Sequence, residues 1–260
     1  MNSQPPKAHY FQSSSLLGTK IDAVNLQLAT EYINSCIIHK HNCYVCVTPA
    51  HAVMDAYHSV DLRKIYNASG LSTPDGMAVV WYLRWKGYRT VERVYGPDLM
   101  LAVCQHSISS GYRHYFYGGD PCVTERLVAN LQQRFPGLQV AGCWSPPFRP
   151  LSAEEQQADI ERINVSAADI VWVGLGSPKQ EIWMHAHRQQ LDSPVLIGVG
   201  AAFDFLSGNK KQAPKWMQRN GLEWLFRLST EPRRLWKRYI QYPLFILLVL
   251  GQETGILKFD

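Results

Sequence analysis

Ile170-Val-Trp-Val-Gly-Leu-Gly-Ser-Pro-Lys-Gln-Glu181 holds three signals in succession. Residues 170–173 are a short β-branched and aromatic run, which marks a buried strand. Gly174-Leu-Gly176 is a tight glycine turn. Ser177-Pro178, with Glu181 shortly after, has the chemistry of a helix start and predicts a capping box there. A strand that turns directly into a helix is the unit of parallel sheets with crossover connections. The same order recurs along the chain. Apolar runs predict strands at 44–47, 112–117, 138–141, 170–173 and 195–199. Amphipathic stretches predict helices at 22–38, 76–86, 97–109, 121–135, 153–165 and 178–190. Asp120-Pro121 and Ser152 followed by Glu155 supply two more start signals. The expectation is an α/β fold, a Rossmann-like layered parallel sheet with helices on its faces.

Sheets of this kind bind ligands outside the carboxyl ends of their strands. Those ends read Thr48-Pro-Ala-His51, Thr73-Pro-Asp-Gly76, Tyr117-Gly-Gly-Asp120, Gly174-Leu-Gly-Ser-Pro178 and Gly198-Val-Gly-Ala-Ala-Phe-Asp204. Three are glycine-rich turns running toward a helix, where free N–H groups and the helix dipole favour an anion such as a diphosphate. Gly176 belongs to one of them. The third glycine of a dinucleotide fingerprint is missing there, and no Walker lysine pattern occurs, so no nucleotide cofactor is expected.

With 46% apolar and 12% aromatic residues in 260, the chain has ample material for a core. Its six cysteines are irregularly spaced and residues 1–20 lack a leader-like pattern, which suits reduced thiols in a cytoplasmic protein. Cys43-Tyr-Val-Cys46 reads as buried strand, and no metal-ligand spacing accompanies it. No metal is expected.

Charge is uneven. Residues 208–260 carry ten of the 26 Lys and Arg but only four of the 21 acids. Trp216, Trp224, Phe226, Trp236 and Tyr239 lie among these cations, and Pro243-Leu-Phe-Ile-Leu-Leu-Val-Leu250 follows. Cations, interfacial aromatics and an apolar run too short to span a bilayer describe a segment lying on a membrane surface. A nucleic-acid arm has no use for that run, so no nucleic-acid partner is expected. The chain therefore divides into a core at 1–207 and a basic, aromatic, helical appendage at 208–260 that associates with membrane.

Thr73-Pro-Asp-Gly-Met77 places Asp75 at a strand end. A carboxylate there suits a general base working on a hydroxyl, and equally a cap for the next helix. Gln180 sits where its amide reaches a ligand hydroxyl, and Arg93 is a forked cation ahead of a helix start.

These motifs, together with Arg93-Val-Tyr-Gly-Pro-Asp-Leu99 and Ala213-Pro-x-Trp-x-Gln-x-x-Gly-Leu-Glu-Trp-Leu-Phe-Arg-Leu-x-x-Glu-Pro-Arg233, resemble the WecG/TagA/CpsF glycosyltransferases (glycosyltransferase family 26) over about residues 40–240. The resemblance implies an inverting, metal-independent bacterial transferase. It would move a sugar from a UDP-sugar donor to an undecaprenyl-diphosphate-linked saccharide in surface polysaccharide synthesis, as a peripheral protein on the cytoplasmic face of the inner membrane. By motif, Asp75 resembles the family's catalytic base, and Thr48, Arg93 and Gln180 its pocket residues. Asp204 matches an aspartate near the uracil ring. Arg227, Arg234 and Arg238 fall where appendage arginines meet diphosphates, with Arg233 and Lys237 in neighbouring registers. Self-association as a homo-oligomer is compatible with this reading.

Two departures bear on the donor. Thr48-Pro-Ala-His51 stands where many members have Thr-Pro-Asn. Cys143-Trp-Ser-Pro-Pro-Phe148 lacks a common tyrosine, leaving Phe148 or Trp144 to stack on the ligand. N-acetylmannosamine, its uronic acid and glucuronic acid are the donor sugars that the resemblance allows. The rivals are a membrane-docked UDP-sugar-binding scaffold and another UDP-sugar-modifying enzyme. An epimerase or dehydrogenase would need a cofactor fingerprint and a Tyr-x-x-x-Lys pair, a combination not found here.

Overall fold

The computed structural model describes residues 11–259. The reading that residues 1–20 hold no leader rests partly on 1–10, and the C-terminal acids include Asp260; both lie outside the described residues. The chain opens with strands β1 (Ser13–Leu16) and β2 (Thr19–Asp22), an antiparallel hairpin. Leu17 and Gly18 turn it with φ of 51° and 79°, the left-handed pair that suits a two-residue hairpin loop. Then follow α1 (Leu26–Ile38), β3 (Cys43–Thr48), α2 (Ala50–His58), α3 (Val60–Asn67), β4 (Leu71–Pro74), α4 (Met77–Trp85) and α5 (Gly96–Ser110). Next come β5 (Arg113–Gly118), α6 (Pro121–Arg134), β6 (Gln139–Trp144), α7 (Ala153–Val165), β7 (Ile170–Gly174), α8 (Lys179–His187), β8 (Val195–Gly198) and α9 (Ala202–Leu206). Four helices complete it: α10 (Lys215–Arg219), α11 (Glu223–Thr230), α12 (Pro232–Tyr239) and α13 (Tyr242–Glu253).

Six strands form one all-parallel sheet in the order β4-β3-β8-β7-β5-β6. Its two faces explain the continuous apolar runs. On β3, Cys43, Val45 and Val47 meet α1, α5, α6 and α9 on one side. Tyr44 and Cys46 meet α2, α3, α7 and α8 on the other. The Cys43-x-x-Cys46 pair is therefore buried strand, as the sequence indicates. A third cluster lies beyond the sheet edge, where Leu16, Leu17 and Ile21 of the hairpin pack with Val79, Val80 and Leu83 of α4 and Phe245 of α13.

Two expectations need correction. The helix predicted from Asp22 begins at Leu26, capped by the Asn25 side chain. Asp22 is fully buried and accepts from Ser72 N–H (2.7 Å) and Ser13 Oγ (2.6 Å), tying the hairpin to β4. The predicted capping box of α8 does not form, since Pro178 is the N-cap and Glu181 turns into the interior. The capping box of Ser152 and Glu155 does form.

Where β5 and β7 end, Gly118 pairs with Gly174. A Cβ on Gly118, whose φ is +115°, would stand 2.7 Å from the Gly174 carbonyl carbon. Neither strained φ nor backbone obstruction is easily relieved. We expect Gly118→Ala to cost about 2 kcal/mol, or roughly 4–8 °C in Tm. A melting temperature within a degree of wild type would show that the strand ends are not closely packed.

Candidate active site

The carboxyl ends of β4, β3, β8 and β7 open on a crevice roofed by α10–α12. It has two adjoining bays, with ≈ 580 and ≈ 660 Å³ of space open to solvent, and Pro49, His51, Asp75 and Arg227 line both.

Asp75 follows β4 directly. Its N–H donates to Thr48 C=O (3.2 Å), and Val94 N–H donates to Pro74 C=O (2.9 Å), which brings the segment before α5 alongside. Arg93 thereby reaches Asp75, its Nε donating to Oδ1 at 3.0 Å. Its Nη2 meets Glu223 Oε2 of α11 at 2.6 Å, and its guanidinium carbon lies 4.0 Å from the Tyr95 ring centroid. Burial works against the Arg93 charge, but Asp75 and Glu223 outweigh it and hold its pKa above the usual value. Burial also raises the Glu223 pKa, with Arg93 opposing and Asp75 adding to the rise. Gly76, at φ +83°, is the N-cap of α4, and no side chain caps that helix. The carboxylate of Asp75 is therefore not occupied with capping.

The second bay takes its floor from Gly176, Gly198 and Gly200 and part of its roof from Arg227, Arg234 and Arg238. Arg238 donates to Ser177 C=O (3.1 Å), whereas Arg227 Nε is buried without a partner among the described residues. Burial, then Arg238 and Arg227, push the His51 pKa well below its ordinary value. Gln180 is 3% exposed and its Oε1 is likewise unpartnered. A buried N–H donor and a buried carbonyl without partners, in one crevice, describe a place prepared for a polar ligand.

Asp75, Arg93, Gln180, Gly176, Arg227, Arg234 and Arg238 thus line one crevice. Three other candidates lie apart from it. Thr48 is fully buried and its hydroxyl is 2.9 Å from Ser72 Oγ, so it supports Asp75 only through its backbone. Asp204 pairs with Asn209 Nδ2 (2.7 Å) and Lys210 Nζ (3.4 Å) and does not line either bay. Phe148 is 88% exposed, and the Trp144 ring is covered by Arg162 at 3.8 Å. Conversely, Glu223, Trp224, Tyr239 and Tyr242 line the first bay. The three rings lie 5.2–6.0 Å apart, an aromatic wall. Glu223 stood in the sequence only as one acid among cations, and Trp224 and Tyr239 read there as aromatics of a membrane-lying segment.

A sequence model described as the glycosyl transferase WecG/TagA/CpsF family matches residues 14–258. A Bacillus spizizenii protein named N-acetylglucosaminyldiphosphoundecaprenol N-acetyl-beta-D-mannosaminyltransferase is 31% identical over 204 residues, 78% of this chain and 77% of the relative. A Bacillus subtilis protein of the same name is 32% identical over 195 residues, 75% and 74% of the two chains.

Proposed function

The chain belongs to the WecG/TagA/CpsF glycosyltransferase family, and we propose that it transfers a sugar, with inversion, from a UDP-sugar to an undecaprenyl-diphosphate-linked saccharide. The observation that carries this reading is the meeting of Asp75 with the unpartnered Arg227 Nε in one crevice. The second bay suits the donor diphosphate: glycine turns supply N–H groups, and three arginines supply charge. The first bay, with its acids and aromatic wall, suits the acceptor sugar.

Arg93 engages Asp75 Oδ1. Among the described residues no hydrogen bond reaches Oδ2, the oxygen that takes the proton of the acceptor hydroxyl. As that hydroxyl oxygen bonds to the anomeric carbon, the bond from that carbon to the β-phosphate oxygen breaks, and UDP leaves with the electron pair. Arg227 and Arg238 stabilise the leaving diphosphate, an electrostatic role fixed before the reaction begins. N-acetylmannosamine is the first donor to try, since both relatives are named for it. The full-length protein, given a panel of UDP-sugars and an undecaprenyl-diphosphate-linked N-acetylglucosamine, should release UDP and form a lipid-linked disaccharide. No lipid-linked product from any donor would refute the reading.

The acceptor lipid puts the work at a membrane surface, which we propose to be the cytoplasmic face of the inner membrane. No helix among the described residues is long and apolar enough to cross a bilayer. Residues 208–260 are the part we assign to membrane contact. Trp216, Trp236, Leu244, Ile246, Leu247 and Leu250 are 42–65% exposed there among the cations. Each cation near an anionic surface contributes about 1 kcal/mol, and the apolar side chains add an uncharged contribution by burial in the interface. Salt should therefore weaken binding to anionic vesicles without abolishing it. Vesicle binding indifferent to salt would remove the electrostatic half of this argument.

A further inference from the structure

Gln180 and Glu181 are neighbours at the start of α8, and both are buried, with 3% and 0% exposure. Gln180 Nε2 donates to Glu181 Oε1 at 2.9 Å. The amide is held on its other sides by the end of β8. A Cβ on Gly198 would come within 3.0 Å of Nε2, and a Cβ on Gly200 within 3.3 Å of Oε1. Oε1 has no partner, and Gln180, Gly200 and Gly176 all line the second bay.

The NH₂ end of the Gln180 amide faces Glu181, as an ionised carboxylate, which offers only acceptors, requires; burial raises the Glu181 pKa, and the hydrogen bond from Gln180 works against that rise. The carbonyl end is then turned toward Gly200 and the bay. An amide alone fits its slot either way round, because its two ends are nearly the same size. We propose that Glu181 is a positioning residue that fixes this polarity, so that the bay presents a carbonyl acceptor to a hydroxyl or amide N–H of the bound sugar. The group recognised on the sugar is therefore a hydrogen-bond donor. Glu181 does not touch the substrate; it acts through Gln180. This inference rests on the transferase reading for its ligand, though not for the lock itself.

Glu181→Gln keeps the shape and removes the requirement, since a second amide can face the first in either sense. We expect kcat/KM for the UDP-sugar to fall about tenfold, the effect of one misplaced hydrogen bond. UDP affinity and Tm should stay at wild-type values, because UDP lacks the sugar and the fold keeps its volume. An unchanged kcat/KM overturns the proposal. So does a parallel loss of Tm and UDP affinity, which would make Glu181 part of the fold alone.

The lock is also read without turnover. In protein labelled with ¹⁵N-glutamine, the Gln180 side-chain amide, assigned by its disappearance in Gln180→Glu, should exchange its protons slowly. In Glu181→Gln the exchange should be at least about tenfold faster. Equal exchange in both proteins overturns the proposal whatever the enzyme transfers. Slow exchange in a wild-type protein that transfers no sugar supports the lock and sinks the transferase reading instead.

Discussion

Asp75→Asn leaves a folded protein that binds UDP and transfers sugar about 10²–10⁴-fold more slowly than wild type. Asparagine keeps the size of the side chain and a carbonyl oxygen for the Arg93 Nε bond, now 3.0 Å from Oδ1. What it lacks is basicity. Without a proton acceptor the attacking hydroxyl must lose its proton to water, and the transition state loses its compensating charge. The rival role, capping α4, is already filled by Gly76 without any side-chain bond. With UDP placed in the second bay, as proposed, its binding should change little. The measurement is a single-turnover rate beside a UDP titration. A variant retaining more than about half the wild-type rate would remove Asp75 from the chemistry.

Arg93→Ala should be the more damaging change, because it acts on both stability and rate. It strips the shared cation from two carboxylates whose side chains are only 17% (Asp75) and 13% (Glu223) exposed. Leaving a buried charge without its partner costs about 3 kcal/mol. Asp75 also loses the bond that aims it, and we expect the rate to fall at least about a hundredfold. Glu223 makes the stability part testable by pH. Burial already raises its pKa and Arg93 restrains the rise. Without Arg93 the folded-state value climbs further above the unfolded one, near about 4.3. A raised carboxyl pKa binds more protons in the folded state, so its destabilisation grows as pH rises through that window and shrinks as pH falls. The variant should melt closest to wild type in acid. Adding Glu223→Gln should return part of the lost Tm at neutral pH without restoring the rate. If it returns none, the two carboxylates are not coupled through Arg93.

The parallel sheet was legible because its central strands are buried on both faces, which makes runs such as Ile170-Val-Trp-Val173 apolar without a break. The edge was not. Leu71-Ser-Thr-Pro74 is short and half polar; the Ser72 hydroxyl meets Thr48 and the Ser72 N–H donates to Asp22 of the hairpin, a contact fifty residues distant in sequence. Helices α2 and α3 went unread for a similar reason, since tertiary packing, not a clear apolar stripe, settles their place. In the site, Asp75 and Gly176 emerge from strand ends into the crevice because the sheet fixes where they leave it, whereas Thr48 at the end of β3 stays buried beneath it. Phe148 and Asp204 were carried over by motif alone. The loop and helix that bear them send one into solvent and give the other to Asn209 and Lys210. Glu223 and the aromatic wall depend on how α11–α13 fold back, which charge counting along the chain does not reveal.

That fold-back has a kinetic consequence. Phe245 of α13 is buried in the hairpin cluster, Gln252 Oε1 accepts from Leu17 N–H, and Glu253 pairs with Lys86. The segment bearing Arg227, Arg234 and Arg238 is therefore tethered at both ends, by β8 on one side and α13 on the other. It is not a free tail. An opening of this segment, tied down as it is, would have to bow outward like a closed loop, which would keep its arginines at an effective concentration on the order of millimolar over the crevice. Reclosure is then a unimolecular event that needs no diffusional search, and its rate should be independent of protein concentration.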